Sequence, residues 1–547
     1  MLFPALGRAG LERAEIYFLD AARGMVESGD WLVPRYRGEP FFDKPALAYW
    51  LMAAAMKWLG PTAAAGRAVS GLAALGVLAA TAWLGARLVG RDAAVAGAIV
   101  LASTAAFMSF GRIAMADMLL ALFTTLAVAL TVRAWQAPAT WVVPALGLAL
   151  GLGFLAKGPI ALLLAGLGLV LYSWQSRRER WPVTPLGLGL AAVLAAVAGL
   201  GWFVLVYLRL GAEPLAHFFL RENLERFATA TYDTGRGALF YPAAYVAVGA
   251  PWSLLLPLAA WRALQPGPGD AGTKGARFLL LWAGSMLVPL SLSRGKLDYY
   301  LLPLLPALSL VVGRLFATGD WTRGERNVAR GALAILGAAI LAAPLLLARV
   351  DPAWISPVRR RIAVAAAVAG GLALLGAAWR ARPRGVLAAL GLTSGLVAFV
   401  FAAVVVPGFM ADQPNRRIVR DVSQALKRRP TARVIVCEDP TRVQRDILFE
   451  ARKAVEERCD LWAVVSERRP VILLVRDGEA SSLRRARLRV RGRYRYLPAT
   501  ALGLEAAGGV KSGRLVLLTN DVRRGHARSR LGAASGARRG SRQRGGS

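Results

Sequence analysis

The sequence predicts a polytopic α-helical membrane protein of about 12 spans, with amphipathic helices on its outer side and a small C-terminal α/β domain. Three observations predict it. Hydrophobic residues fill 56% of the 547 positions, in blocks long enough to cross a bilayer. The chain carries 68 Lys and Arg against 33 Asp and Glu, and residues 412–547 alone hold 32 basic and 14 acidic residues. Beyond residue 407 the apolar blocks give way to short β-branched runs. Soluble, collagenous, disulfide-rich and wholly disordered classes are excluded. Two cysteines are too few for an iron–sulfur protein or a zinc-finger array.

Residues 1–44 hold no spanning segment, and no small-residue cleavage site follows Met1–Gly7, so no signal peptide is predicted. Residues 11–28 read as an amphipathic helix, with Ile16, Leu19, Ala22 and Val26 on one side and Glu12, Glu15, Arg23 and Glu27 mostly on the other. Pro45–Leu59 is apolar and aromatic but short, and reads as an interfacial helix. Spans are expected at 68–88, 92–110, 117–134, 140–156, 159–174, 187–209, 240–262, 277–293, 297–316, 329–348, 362–379 and 385–407.

Arg433–Glu438, Val471–Val475 and Arg514–Leu518 are strand-like and alternate with helix-like stretches near 414–428 and 442–457. Arg484–Arg495 alternates Arg with other residues, the period of an exposed basic strand, and 522–547 is a Gly/Ser/Arg-rich tail expected to be disordered. The domains expected are thus an outer loop with amphipathic helices (1–67), a transmembrane catalytic domain (68–410), a periplasmic α/β domain (411–521) and the tail.

Orientation follows from alternate loops rich in Arg. Arg87/Arg91, Arg133, Arg177/Arg178/Arg180, Arg262/Lys274/Arg277, Arg314/Arg323/Arg326/Arg330 and Arg380/Arg382/Arg384 are assigned inside by the positive-inside rule. The outward side then receives 1–67, 111–116, 157–158, 210–239, 294–296, 349–361 and everything after 407. Every unusual polar cluster of the membrane region falls on that side.

Five clusters could carry chemistry. Gly29–Pro34 and Gly38–Pro45 combine aromatics, Asp30, Glu39, Asp43 and Lys44 beside a membrane surface. A substrate with a sugar and a phosphate needs that mixture: rings to stack, carboxylates for hydroxyls, a cation for phosphate. Asp117 begins a span, where an acid also complements the helix dipole. Lys157 lies between two apolar segments, a depth at which a charge is costly unless it snorkels. Ser293–Tyr300 brings Arg294 and Lys296 next to Tyr299 and Tyr300, an anion clamp or an aromatic belt. The loop Glu213–Tyr241 contains His217, Glu222, Asn223 and Arg226; a lone His such as His217 is more often structural than a metal ligand. Arg outnumbers Lys by 60 to 8, yet three of the eight Lys (Lys44, Lys157, Lys296) stand at outward loop–helix junctions near carboxylates. Protease, redox and nucleotide-hydrolysing signatures are missing.

The runs AEIYFLDAARGMVESGDWLVPRYRGEPFFDKPALAYW, RIAMADMLL, GFLAKGP, HFFLRENLERF and SRGKLDYYLLPLLPALSL resemble, in order over about residues 11–310, the lipid-linked-sugar glycosyltransferases of the GT-C superfamily. The branch most similar is that of the bacterial aminoarabinose transferases and protein O-mannosyltransferase-like proteins. The resemblance implies a multi-pass enzyme of the bacterial inner membrane, taking its sugar from undecaprenyl phosphate or a similar carrier, with the active site on the periplasmic face. It implies Lys44 on the donor phosphate, Asp43 as the neighbouring acid and Asp117 as the acid opening a later span. The acidic pair of the first outer loop reads Ala14–Glu15, so only Glu15 carries over, with Asp20 or Glu12 as substitutes. Some members hold a metal between the acid before the Lys and a His that reads Asn223 here, so no metal ligands are assigned and any divalent cofactor is left open. Family members begin with a membrane helix ahead of the first outer loop; the expectation is that this chain lacks it, and restoring it would give about 13 spans.

The reading is therefore an inverting hexosyl- or pentosyltransferase moving a sugar to a glycolipid such as lipid A, another envelope glycan or a protein. Glu15, Asp43 and Asp117 are the candidate catalytic acids. Lys44, Lys157, Arg294, Lys296, Tyr299, Glu222 and Arg226 are the candidate substrate-binding residues. Membrane lipids are partners and nucleic acid is not expected. The alternatives are a flippase or transporter of lipid-linked sugars, which would need polar residues in mid-span, and a polysaccharide polymerase or ligase. Cys437 and Cys459 fall in the outer domain, as a disulfide or as two buried thiols.

Overall fold

A computed structural model describes residues 2–7, 13–176, 184–229, 235–265, 270–317, 321–348, 356–402, 415–437, 443–451, 455–457, 470–483, 488–496 and 513–520, and the single positions 11, 319, 453 and 460. The chain divides into two compact units, Met1–Arg416 with Leu448–Arg452, and Arg417–Ile447 with Lys453–Ser547. Glu12, the loop 177–183 and the tail 522–547 lie outside the described residues.

The chain is a multi-pass α-helical membrane protein. Eight described helices are long and apolar enough to span: Ala63–Leu88, Asp117–Gln136, Pro185–Leu210, Ala271–Leu292, Asp298–Ala317, Arg323–Leu345, Pro357–Arg380 and Pro383–Val400. Val142–Lys157, Pro159–Gln175 and Trp252–Leu264 are shorter apolar helices. Asp298–Ala317 buries 83% of its most apolar window and runs through the bundle, whereas Pro185–Leu210 buries 22% and leaves Leu186 and Leu208 exposed to lipid. Helices Arg91–Ala102 and Leu305–Ala317 approach backbone to backbone: a Cβ on Gly313 would lie 2.3 Å from the Gly97 nitrogen. Small residues permit that closeness in lipid.

Two expected spans are broken. The stretch 92–110 forms Arg91–Ala102 and Ala105–Phe110, and 240–262 forms Phe240–Val248 and a second piece from Trp252. The breaks satisfy one another. The Ala105 N–H donates to the Ala250 carbonyl at 2.8 Å, and the Trp252 indole N–H donates to the Ser103 hydroxyl at 3.0 Å. Backbone groups freed inside a membrane need such partners.

The N-terminal segment contains α1 (Arg13–Ser28) and continues to α2 (Leu47–Leu59). The two-sided reading of α1 needs correction. Its apolar side packs inward as expected, but Glu15 is 0% and Arg23 7% exposed. Glu15 grips Arg67 with both oxygens, each at 2.7 Å, and accepts the Ala114 N–H at 2.8 Å. The other end of the Arg67 guanidinium donates to the Leu6 carbonyl at 2.6 Å. Hydropathy periodicity cannot see a buried charge whose partner lies 52 residues away.

The second unit contains a five-stranded sheet in the order β4-β3-β5-β7-β6, with β3 Arg433–Val436, β4 Val455–Glu457, β5 Val471–Arg476, β6 Leu488–Tyr496 and β7 Gly513–Asn520; β1 and β2 are defined below. β3 pairs in parallel with β4 and β5, and β7 runs antiparallel to β5 and β6. Ile435, Leu473, Val475, Val516 and Leu518 form its core. The helix expected at 442–457 stops at Glu450 and is followed by strand β4. The basic run 484–495 supplies edge strand β6, on which Arg489, Arg491 and Arg493 are exposed.

Candidate active site

The segment between α1 and α2 positions Asp43 and Lys44 through a small hairpin. β1 (Arg35–Tyr36) and β2 (Glu39–Pro40) pair around Arg37 and Gly38, whose φ values of 56° and 87° suit a two-residue hairpin turn. Tyr17 and Phe41 stack at 5.6 Å and Phe42 packs on Trp202 at 6.1 Å. These rings hold the chain on either side of the turn and fix the direction in which residues 43 and 44 emerge.

The partners of Asp43 and Lys44 come from a π-helix, His217–Glu225. Its i→i+5 bonding brings residues five apart onto one face, where an α-helix would set them about 140° apart. His217 and Glu222 are such a pair. The His217 Nε2 lies 3.0 Å from Asp43 Oδ1, and Glu222 Oε2 accepts from Lys44 Nζ at 3.1 Å and from Arg226 Nη1 at 2.9 Å. Asn223 donates to the Phe218 carbonyl at 2.7 Å, again five residues back. Burial alone would raise the Glu222 carboxyl, but Lys44 and Arg226 outweigh it and hold the group below its ordinary value. Burial pushes the Lys44 ammonium down, with Glu222 opposing.

A second pair stands beside the first. Asp117 opens a spanning helix and Lys157 closes the shorter apolar helix Val142–Lys157, and the two form an ion pair. The Lys157 Nζ lies 4.8 Å from the Tyr300 ring centroid and 5.7 Å from that of Tyr299, close enough for cation–π attraction. Gly158 turns the chain with φ 79°, and a Cβ there would meet the Phe218 ring at 2.6 Å. Only glycine permits both that turn and the close seat of the π-helix.

A cavity of about 130 Å³ is lined by Lys44, Lys157, Glu222, Asn223, Arg226 and Tyr300, with apolar walls from Leu120, Phe218 and Phe227. Of the residues singled out from sequence, Lys44, Lys157, Glu222 and Arg226 meet at this cavity. Asp43 and Asp117 stand behind it, held by His217 and Lys157. Glu15 is enclosed with Arg67 and does not line it. Nor do the side chains of the expected Arg294–Lys296 clamp. Lys296 is 6% exposed and donates to the Ser293 carbonyl at 2.6 Å, so that loop offers Ser293 and Gly295 instead. Tyr299 meets Phe110 edge-on at 5.6 Å, and its neighbour Tyr300 faces the cavity. The link from His217 to Asp43 and the role of Tyr300 were missed in the sequence. Five-residue spacing falls on opposite sides of an α-helical wheel, and nothing local marks a π-turn.

Asp43, His217 and Glu222 each bring one ligand-type atom within 4.8 Å of the others. Asp43 and His217, whose ligand-type atoms lie 3.0 Å apart, could hold a divalent cation between them, whereas Glu222 is already held by Lys44 and Arg226.

The computed fold superimposes on the crystal structure of ArnT from Cupriavidus metallidurans bound to undecaprenyl phosphate with a TM-score of 0.72, covering 95% of this chain and 96% of that one at 20% identity. The same protein's apo structure matches equally well, at 21% identity. The chain shares the fold of that protein. The family model for dolichyl-phosphate-mannose-protein mannosyltransferase matches residues 43–202. Among its relatives is undecaprenyl phosphate-alpha-4-amino-4-deoxy-L-arabinose arabinosyl transferase 2 of Sodalis glossinidius, 31% identical over 64% of each chain. The corresponding transferase of Pseudomonas aeruginosa is 34% identical over 55% of this chain and 54% of its own. The match thus spans between about half and two thirds of these relatives. The resemblance to aminoarabinose transferases seen in the motifs holds across sequence and fold.

Proposed function

We propose that the chain is a membrane glycosyltransferase that takes a sugar from a polyprenyl phosphate, such as undecaprenyl phosphate, and passes it to lipid A, another envelope glycan or a protein. One observation carries the reading: Lys44, Lys157 and Arg226, from three separate segments, converge on a single cavity with apolar walls. That combination suits a phosphate joined to a hydrocarbon chain.

In the proposed reaction an acceptor oxygen attacks the anomeric carbon as the bond to the phosphate oxygen breaks, inverting that carbon. The departing phosphate gains a negative charge, which Lys44 and Arg226 offset. A hydroxyl acceptor must also lose a proton. Asp117 and Asp43 are the acids within reach of the cavity's lining, through Lys157 and beside Lys44, so the base role falls to them rather than to Glu15. An acceptor that is already an anionic phosphate needs no base, and the acids then orient the sugar.

We place the protein in the bacterial inner membrane with the site on the periplasmic face, residues 68–410 serving as the catalytic domain and 411–521 as a periplasmic domain. Arg-rich loops on the opposite side support this. So does Cys437, which is disulfide-bonded, a state that persists in oxidising compartments. The experiment is transfer by the purified full-length protein in nanodiscs from undecaprenyl-phosphate sugars, paired with mass spectrometry of envelope glycolipids from a deletion strain. Unchanged glycolipids and no transfer to lipid A, glycan or peptide acceptors would sink the proposal.

A further inference from the structure

The cavity's charges do not simply add up to a strong anion trap. Lys157 is paired with Asp117 and Asp43 with His217, and Lys44 and Arg226 both donate to the carboxylate of Glu222. Where a phosphate would bind, both cations are already drawn on by a carboxylate that lines the same cavity. Glu222 is 9% exposed and is held ionised by those same cations, so its charge is a fixed part of the site.

We propose that Glu222 is a specificity-determining residue that matches the cavity to a singly charged phosphodiester and disfavours the doubly charged phosphomonoester. The inference rests on the polyprenyl-phosphate reading and extends it. A lipid-linked sugar phosphate is a diester with one negative charge. When the bond between the anomeric carbon and the phosphate oxygen breaks, its electron pair stays on that oxygen, and the lipid product becomes a monoester. Such a monoester carries about −1.5 to −2 at neutral pH. The added charge faces Glu222 across Lys44 and Arg226. The carboxylate competes for the same two donors and repels the product, so the spent carrier leaves more readily than the donor does.

The test compares two probes that need no knowledge of the sugar: undecaprenyl phosphate and its methyl ester, a diester of the same chain. Binding of each to the full-length protein in nanodiscs is measured at pH 8. The wild-type protein is expected to bind the monoester no more tightly than the diester. Glu222→Gln is expected to tighten the monoester about tenfold relative to the diester, while Glu222→Asp keeps the wild-type ratio. A wild-type preference of tenfold or more for the monoester overturns the inference, and so does an equal change, or none, for both lipids in Glu222→Gln. The wild-type comparison stands even where the Gln variant fails to fold. If the wild-type protein binds neither lipid, the polyprenyl-phosphate reading itself falls, a distinct outcome.

Discussion

His217 and Glu222, one π-turn apart, bond respectively to Asp43 and Lys44, which are adjacent in sequence. The two contacts join segments 174 and 178 residues apart. Each isolated exposed ion pair contributes little. Here Glu222 is buried, and it also gathers Arg226, so the clasp fixes three charged groups at one wall of the cavity.

Lys44→Ala is expected to weaken binding of undecaprenyl phosphate by roughly tenfold to a hundredfold, since a hydrogen bond to a charged group contributes about 1.5–3 kcal/mol. Transfer should fall at least as far. Titration of the full-length protein in nanodiscs, alongside its thermal melt, checks this. A normal affinity in a folded variant would remove Lys44 from the phosphate site.

Binding should also fail at high pH earlier than an ordinary lysine would allow. Phosphate binding needs the Lys44 ammonium, and burial sets its pKa below 10.5. As pH rises through the depressed value the proton is lost and affinity drops. The same burial opposes folding while Lys44 is protonated, a penalty that lifts toward high pH. Lys44→Arg, which stays charged, should move the alkaline limb upward. An unmoved limb would assign it to another group.

Glu15 and Arg67 are expected to act as a structural clamp. Removing one partner of a buried ion pair costs about 3–5 kcal/mol, so Glu15→Ala and Arg67→Ala should both melt well below the wild type. Replacing both with apolar residues should recover much of that loss. The clamp holds the Ala114 N–H just ahead of Asp117. If Glu15→Gln instead leaves stability intact and removes only transfer, Glu15 belongs with the catalytic acids after all.

The disulfide at Cys437 should stabilise the C-terminal unit by about 2–4 kcal/mol, read as a lower melting transition in Cys437→Ser. Cys459 is the chain's only other cysteine. In a background lacking both, Arg493→Cys on exposed strand β6 should react with a membrane-impermeant maleimide in intact spheroplasts. Labelling only after lysis would turn the proposed topology over.

Much of the chain was legible because bilayer physics acts through local composition. Runs of Leu, Ala and Val declare helices, and Lys44 and Lys157 stand out because a charge at an apolar junction is costly. The same reasoning misplaced Glu15 and Lys296, whose partners are a distant guanidinium and a nearby backbone carbonyl. A charged residue looks alike in sequence whether it faces a ligand or another part of the protein.

The sequence by itself determined the membrane class and the order of the helices. Tertiary structure alone decided which charges meet. Helix patterning is set by neighbours three and four residues away, whereas the Glu222–Lys44, His217–Asp43 and Asp117–Lys157 contacts depend on a π-turn and on packing between segments 40 to 178 residues apart.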